Sequence, residues 1–282
     1  MTLPPPACPA PVLAWRDGGR TSGTRVVPEE TAIALTYGRS THAVMMATPA
    51  DLEDFALGFS LSEGIVQAGS EIEELEIVAR EGGIELRMSV AAMRMDALLK
   101  RRRFLTGATG CGLCGMESLA EAGRLPPSVP AGAERWGAAT LAGIPAELAA
   151  RQVLNRQTHA THAAAFWTER DGLVAVREDV GRHNALDKLA GALAHAGISA
   201  CTGVIALTSR VSVEMVQKAA TMGAPVLMAV SAPTALAIRQ ADRSAVTLIG
   251  VARNDGFEVF THPDRVILDE ATERPGVITA PP

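Results

Sequence analysis

Two cysteines stand two residues apart in FLTGATGCGLCGMESL, residues 104–119, and Cys111 and Cys114 are the groups in this chain best suited to covalent chemistry. A C-x-x-C pair can close a redox disulfide, supply half of a zinc site, or present one thiolate as a nucleophile and sulfur carrier. Spacing alone does not choose among these. Gly107, Gly110, Gly112 and Gly115 leave the segment little side-chain bulk and much backbone freedom, which suits a loop that reaches out and is closely approached by a partner. A rigid zinc knuckle tolerates this less readily. Lys100, Arg101, Arg102 and Arg103 lie just upstream, and a helix is expected just after the loop. Both favour thiolate over thiol, the helix dipole acting most on Cys114. Two cysteines without a second fixed pair leave tetrahedral zinc incomplete, so no metal is expected.

A second group of candidates lies at the ends of expected strands. GVIALTS, APVLMAV and AVTLIGV are near-continuous apolar runs separated by the helical patterns VEMVQKAATMG and PTALAIRQA, which reads as strand, helix, strand, helix, strand in a parallel sheet buried on both faces. Open α/β sheets bind ligands beyond the carboxyl ends of their strands. Those ends carry Ser209 and Arg210, then Thr234, then Val251, Ala252, Arg253, Asn254, Asp255 and Gly256. Hydroxyls, guanidinium groups and amides at two helix starts would suit a phosphate-bearing ligand. Taken singly, the same residues could be ordinary caps and turns. No G-x-G-x-x-G or P-loop pattern follows a strand, so dinucleotide oxidoreduction and P-loop hydrolysis lack support.

Asp179, Arg182, His183, Asn184 and Asp187 crowd one turn entering a helix. They form either a site or elaborate capping, with Asp179 as the cap and His183 paired to Asp187 at i,i+4. His159 and His162 have the spacing of a metal pair, but no carboxylate or cysteine stands at a fitting offset beside them.

The elements that must position these groups fall into two halves. Residues 1–25, rich in Pro and Gly, are expected to be a disordered tail. Residues 26–122 read as a small α+β domain ending in the C-x-x-C loop: TAIALTY and HAVMMA form a hairpin, and LEIVAR and IELRMSV form another. Thr48-Pro49 is expected to cap the helix ADLEDFALGFSLSEGIV, and AAMRMDALLKRRRF has the spacing of a helix leading into the cysteines. Residues 123–137, GRLPPSVPAGAERWG, read as a linker, and 138–282 as an α/β domain beginning with the helix IPAELAARQVLNRQ. Within it THAAAFWTE and LVAVRED form a hairpin, and RHNALDKLAGALAHAG a helix closed by Gly197. The 282 residues, 48% of them hydrophobic, suffice for two such cores. A net charge of −5 argues against wholesale nucleic-acid binding. No apolar run approaches a membrane span, the Pro-rich start is no signal peptide, and four cysteines make no disulfide framework, so the reading is cytoplasmic.

GCGLCG together with EDVGRHNALDKLAG resembles the formate dehydrogenase accessory sulfurtransferase family, FdhD. FALGFSLSEGIV, RVSVEMVQKAATMGAPVL, SAPTALAI and THPDR resemble further segments of that family, so the likeness covers most of the chain. The chain departs from it at 158–162, where the family usually has two glycines before the His, and in its longer 123–150 segment. The resemblance implies a cytidine-deaminase-like layered α/β domain beside the smaller N-terminal one, and a homodimer. It also implies transfer of sulfur from a cysteine desulfurase to the molybdenum bis(molybdopterin guanine dinucleotide) cofactor of the formate dehydrogenase catalytic subunit. That cofactor would be a bound substrate, with no permanent cofactor. Cys111 would carry the persulfide, Cys114 would assist, and residues 251–256, VARNDG, would bind the cofactor. No H-x-E with a downstream P-C-x-x-C is present, so deaminase chemistry is not implied. From other classes, a cofactor-binding chaperone without obligatory sulfur transfer and a thiol–disulfide oxidoreductase are the alternatives.

Overall fold

Alternating apolar residues make the first half a sheet with one buried face. The computed structural model describes residues 2–91, 94, 127–130 and 134–268. Strands β1 (Ala7–Arg16) and β2 (Gly19–Pro28) form a separate antiparallel ribbon. Strands β3 (Thr31–Tyr37), β4 (Ser40–Ala47), β5 (Ile72–Arg80) and β6 (Gly83–Val90) make a four-stranded sheet in the order β4-β3-β6-β5, as the two expected hairpins require. Along β6, Ile84, Leu86, Met88 and Val90 point inward and join Ile33, Leu35 and Tyr37 of β3. They pack on Leu52, Phe55 and Phe59 of α1 (Leu52–Ser62).

The expected disordered tail over 1–25 is therefore corrected: residues 7–25 lie in this ribbon. Asp17 (φ 50) and Gly18 (φ 76) make the two-residue, positive-φ turn that Asp-Gly favours, and the register runs unbroken from Ala7↔Pro28 to Arg16↔Gly19. Pro9 and Pro11 are tolerated because β1 pairs on one side only, with β2.

In the second half β7 (Trp136–Gly137) precedes α2 (Ala138–Arg151) and α3 (Val153–Thr158). The hairpin β8 (His162–Thr168) and β9 (Gly172–Asp179) leads into α4 (Arg182–His195), which ends before Gly197 (φ 65). Then come β10 (Val204–Leu207), α5 (Val213–Thr221), β11 (Val226–Ala229), α6 (Ala235–Arg243), β12 (Thr247–Arg253), β13 (Gly256–Val259) and β14 (Val266–Ile267). The sheet order is β13-β12-β11-β10-β8-β9. Its centre, β10, β11 and β12, is parallel and buried on both faces, as the apolar runs predict. Its flanks are antiparallel, so the sheet is mixed rather than purely parallel. The result is a mixed α/β architecture with six α-helices among the described residues. No described helix is long and apolar enough to cross a membrane.

The expected helix over AAMRMDALLKRRRF and the cysteine loop lie outside the described residues, apart from Ala91 and Arg94. Of the linker at 123–137, Val129 is buried and donates its N–H to the Ser244 carbonyl at 2.9 Å.

The two halves meet where α1 lies against α4. A Cβ on Gly58 would overlap the Asp187 carbonyl, and one on Gly191 would overlap the Asp54 carbonyl. Backbone touches backbone here, and only glycine permits it. Gly58→Ala is expected to lose on the order of 1–3 kcal/mol in urea unfolding, since the helices must part to admit one methyl. Stability equal to the parent would mean the contact yields freely.

Candidate functional site

One edge of the six-stranded sheet gathers most of the candidates. The parallel strands β10, β11 and β12 end there, and hydrogen bonds tie their ends together. Val211 N–H donates to the Ala232 carbonyl at 3.4 Å, Thr234 N–H to Val211 at 3.0 Å, and Val251 N–H to Ser231 at 3.3 Å. Because β8 is antiparallel to β10, with Leu207 opposite Ala164, its start at His162 lies at the same edge. Asp179, the end of β9, faces His162 across the hairpin, and α4 starts three residues on. The Asp179–Asp187 turn and the strand-end crevice, separate in sequence, thus share one edge.

The residues there differ in what they can offer. Arg210 and Arg253 are exposed. Asn254 and Asp255 form the turn between β12 and β13, where Arg253 pairs with Gly256 (φ 149). Val251 (φ 51) takes a left-handed conformation at an irregularity in the β12–β13 register, and Ala252 is fully buried, so it presents no side chain to a ligand. Ser209 is buried and its hydroxyl donates to the Arg210 carbonyl at 3.1 Å. Thr234 caps α6, accepting from Ala237 N–H at 3.2 Å. The guanidinium groups and amides, more than the hydroxyls, are what this edge holds out.

Asp179 has a different duty from helix capping. Its carboxylate accepts from Gly181 N–H at 2.7 Å, the Asn184 amide at 3.0 Å and Thr48 N–H at 3.0 Å, and pairs with Lys188 at 2.7 Å. Lys188 also donates to the Thr48 carbonyl at 2.9 Å, and the Thr48 hydroxyl accepts from Val180 N–H at 3.1 Å. Thr48 is thus drawn into a bridge between the halves and does not cap α1, whose N-cap is Asp51 in a left-handed conformation. Nor does His183 pair with Asp187. Lys218, brought by α5, takes Asp187 at 2.7 Å, while His183 Nε2 lies 4.0 Å from Glu214. Burial works against the Lys218 charge, yet Asp187 and Glu63 more than offset it and hold its pKa above the ordinary lysine value. His183 is pushed down to about 4, chiefly by burial and then by Arg182 and Lys218, and is neutral at neutral pH. His162 is lowered by burial and by Arg182. His159 closes α3 in a left-handed conformation and is exposed.

Lys188, Thr48, Lys218 and Glu214 were not among the candidates. Lys188 could have been found as the one lysine inside the apolar run of α4; the others depend on contacts distant in sequence. Cys111 and Cys114 lie outside the described residues. Cys8 is half-buried, Cys201 is exposed, and both are free thiols.

Over most of its length the chain is similar to known proteins. The model of the FdhD/NarQ family matches residues 28–267. The Sulfur carrier protein FdhD of Agrobacterium fabrum is 52% identical over 255 residues, covering 90% of this chain and 94% of that protein. That of Cupriavidus necator is 51% identical over 264 residues, 93% of this chain and 91% of that protein. A crystal structure described as that of a formate dehydrogenase accessory protein from Desulfotalea psychrophila superposes with a TM-score of 0.71 at 25% identity, covering 93% of this chain and all of that one.

Proposed function

This chain belongs to the FdhD/NarQ family, and from that premise we propose that it is a sulfur carrier that matures formate dehydrogenase. The observation that carries this is the half-identical relatives named sulfur carriers, read with the GCGLCG segment at 110–115. The Cys111 thiolate attacks the outer sulfur of a cysteine desulfurase persulfide. The S–S bond breaks, the desulfurase thiolate leaves, and the new persulfide on Cys111 keeps the transferred sulfur at the same oxidation level. Cys114 assists its onward transfer to the molybdenum bis(molybdopterin guanine dinucleotide) cofactor, the bound substrate destined for the formate dehydrogenase catalytic subunit: its thiolate attacks the inner sulfur of Cys111, the outer sulfur leaves as sulfide for the cofactor, and the Cys111–Cys114 disulfide left behind is reduced by a thiol.

The strand-end edge is the proposed place for that cofactor, with Arg210 and Arg253 on its phosphates and the residues 251–256 around it. Support comes from the hydrogen-bonded convergence of the three strand ends and from two exposed guanidinium groups that match phosphate geometry. The same reading includes a cytidine-deaminase-like layering of the second half, a homodimer and a cytoplasmic location, with no resident metal or cofactor. Incubation with a desulfurase and cysteine, followed by intact-mass measurement, should add one sulfur atom to the chain, and none to a Cys111→Ala variant. An unchanged mass for the parent would remove the carrier role.

Arg253→Ala tests the edge. Loss of one charge-assisted phosphate contact should cost about 1.5–3 kcal/mol, so the affinity for GDP, a fragment of the cofactor, should fall tenfold or more in calorimetry. Unchanged affinity would move the site away from 251–256.

A further inference from the structure

Arg182 is a half-buried guanidinium, and the two aspartates of its own turn are paired with lysines. Asp179 pairs with Lys188, and Asp187 with Lys218. Burial works to raise the Glu214 carboxylate, but its own helix start, His183 and the Arg182 charge together hold it low. Among the described residues Arg182 Nε is buried with no hydrogen-bond partner. The next two residues repeat the pattern, with His183 Nε2 and Asn184 Oδ1 both buried and unmatched. Asn184 is 2% exposed and its amide nitrogen is taken by Met46 and Asp179, which turns Oδ1 away from both. Three consecutive side chains of one turn thus keep unused polar capacity, where native interiors leave few such atoms. The helix they open, α4, has Gly181 as its N-cap and no side chain capping its first N–H groups.

Position gives this capacity a direction. His183 stands 4.0 Å from Glu214 in the first turn of α5, and α5 follows directly on Ser209 and Arg210. The Arg182 turn therefore adjoins the β10 end of the crevice, on the side opposite Arg253 at the β12 end. Charge agrees: burial and Arg182 lower both nearby histidines, and Lys188 and Lys218 are taken up by Asp179 and Asp187, so among the described residues on this side Arg182 and Arg210 are the cations without a carboxylate paired to them.

We propose that Arg182, with the first-turn amides of α4, is a further phosphate-binding arm of the strand-end crevice, receiving a diphosphate whose other end reaches Arg253. The inference rests on the crevice reading and extends it by naming a third guanidinium anchor, beside Arg210 and Arg253. Arg182 grips oxygen atoms with charge, and Asn184 Oδ1 accepts from a hydroxyl beside the phosphate.

GDP titration of Arg182→Gln and Arg253→Ala, with thermal melts and histidine NMR titrations, tests it. Arg182→Gln should bind GDP about tenfold more weakly, with a melting temperature no lower than the parent, because Arg182 Nε has no hydrogen-bond partner among the described residues. In the parent, bound GDP should raise the titration midpoints of His162 and His183 by offsetting the Arg182 charge, and in Arg182→Gln this rise should vanish. Weakened binding by Arg253→Ala alone overturns the Arg182 assignment and leaves the crevice standing. If neither variant weakens binding, both fall. A lowered melting temperature in Arg182→Gln, or histidine midpoints unmoved by GDP in the parent, also overturns it by showing that the side chain serves the fold.

Discussion

Cys111→Ala is expected to reduce formate dehydrogenase activation to background while the protein stays folded and binds GDP as the parent does. On the proposed mechanism Cys111 holds the persulfide and Cys114 only assists its onward transfer, so the loss of one sulfur atom removes the carrier unless Cys8 or Cys201 replaces it. Cys8 is half-buried on β1 and its Sγ is 3.8 Å from a Glu29 oxygen. Cys201 is exposed on a short 3-10 turn, its sulfur 3.0 Å from the Ser199 hydroxyl. Neither has the glycine flanks or the upstream basic run that favour a reactive thiolate at Cys111. A coupled assay with purified desulfurase and apo-dehydrogenase reads the loss, and a thermal melt guards against misfolding. If the variant still activates its target, sulfur transfer is incidental and the cofactor-binding chaperone becomes the better description.

What could be read ahead of the structure follows the range of the forces involved. The alternation in β3 and β6 and the apolar runs of β10, β11 and β12 were legible because strand burial imposes a local pattern. The ribbon β1–β2 was not foreseen, because a count of prolines and glycines hid the specific Asp17-Gly18 turn signal. Thr48 before Pro49 looked like a cap, and locally it is a good one. A buried carboxylate 131 residues away competes for its backbone, and the tertiary bond prevails. His183 and Asp187 looked like a helix pair until α5 delivered Lys218, whose charge satisfies a buried aspartate better than a neutral imidazole does. Gly58 and Gly191 carry no sign in sequence that they face each other's helices. The candidate site followed the same division. Each cluster was visible as a dense polar turn, but only the antiparallel entry of β8 beside β10 puts Arg182 and Arg253 on one edge.

The Asp179–Lys188 pair should yield the largest loss of stability of any single buried contact here. Both side chains are fully buried, the ammonium lies 2.7 Å from the carboxylate and 5.8 Å from the centre of the Phe55 ring, and every other bond they make crosses to Thr48 or closes the α4 turn. Asp179→Asn keeps the shape but strands an ammonium in the core. Lys188→Met keeps the length and strands a carboxylate, cushioned by three N–H donors. Each change should cost about 3–5 kcal/mol in urea unfolding, most of it the penalty of an unpaired buried charge, with Asp179→Asn the more severe because Lys188 keeps only the Thr48 carbonyl and an aromatic face. The double variant should lose distinctly less than the two losses added together, since neither charge remains to be stranded. Because the bonds join residues 46–48 to 179–188, the weakened variants should also loosen α1 from α4, seen as faster amide exchange on those two helices before the rest of either sheet. Single losses below about 1 kcal/mol, or strict additivity in the double variant, would show that water reaches the pair and that the halves are held mainly by the glycine-to-backbone contacts of α1 and α4.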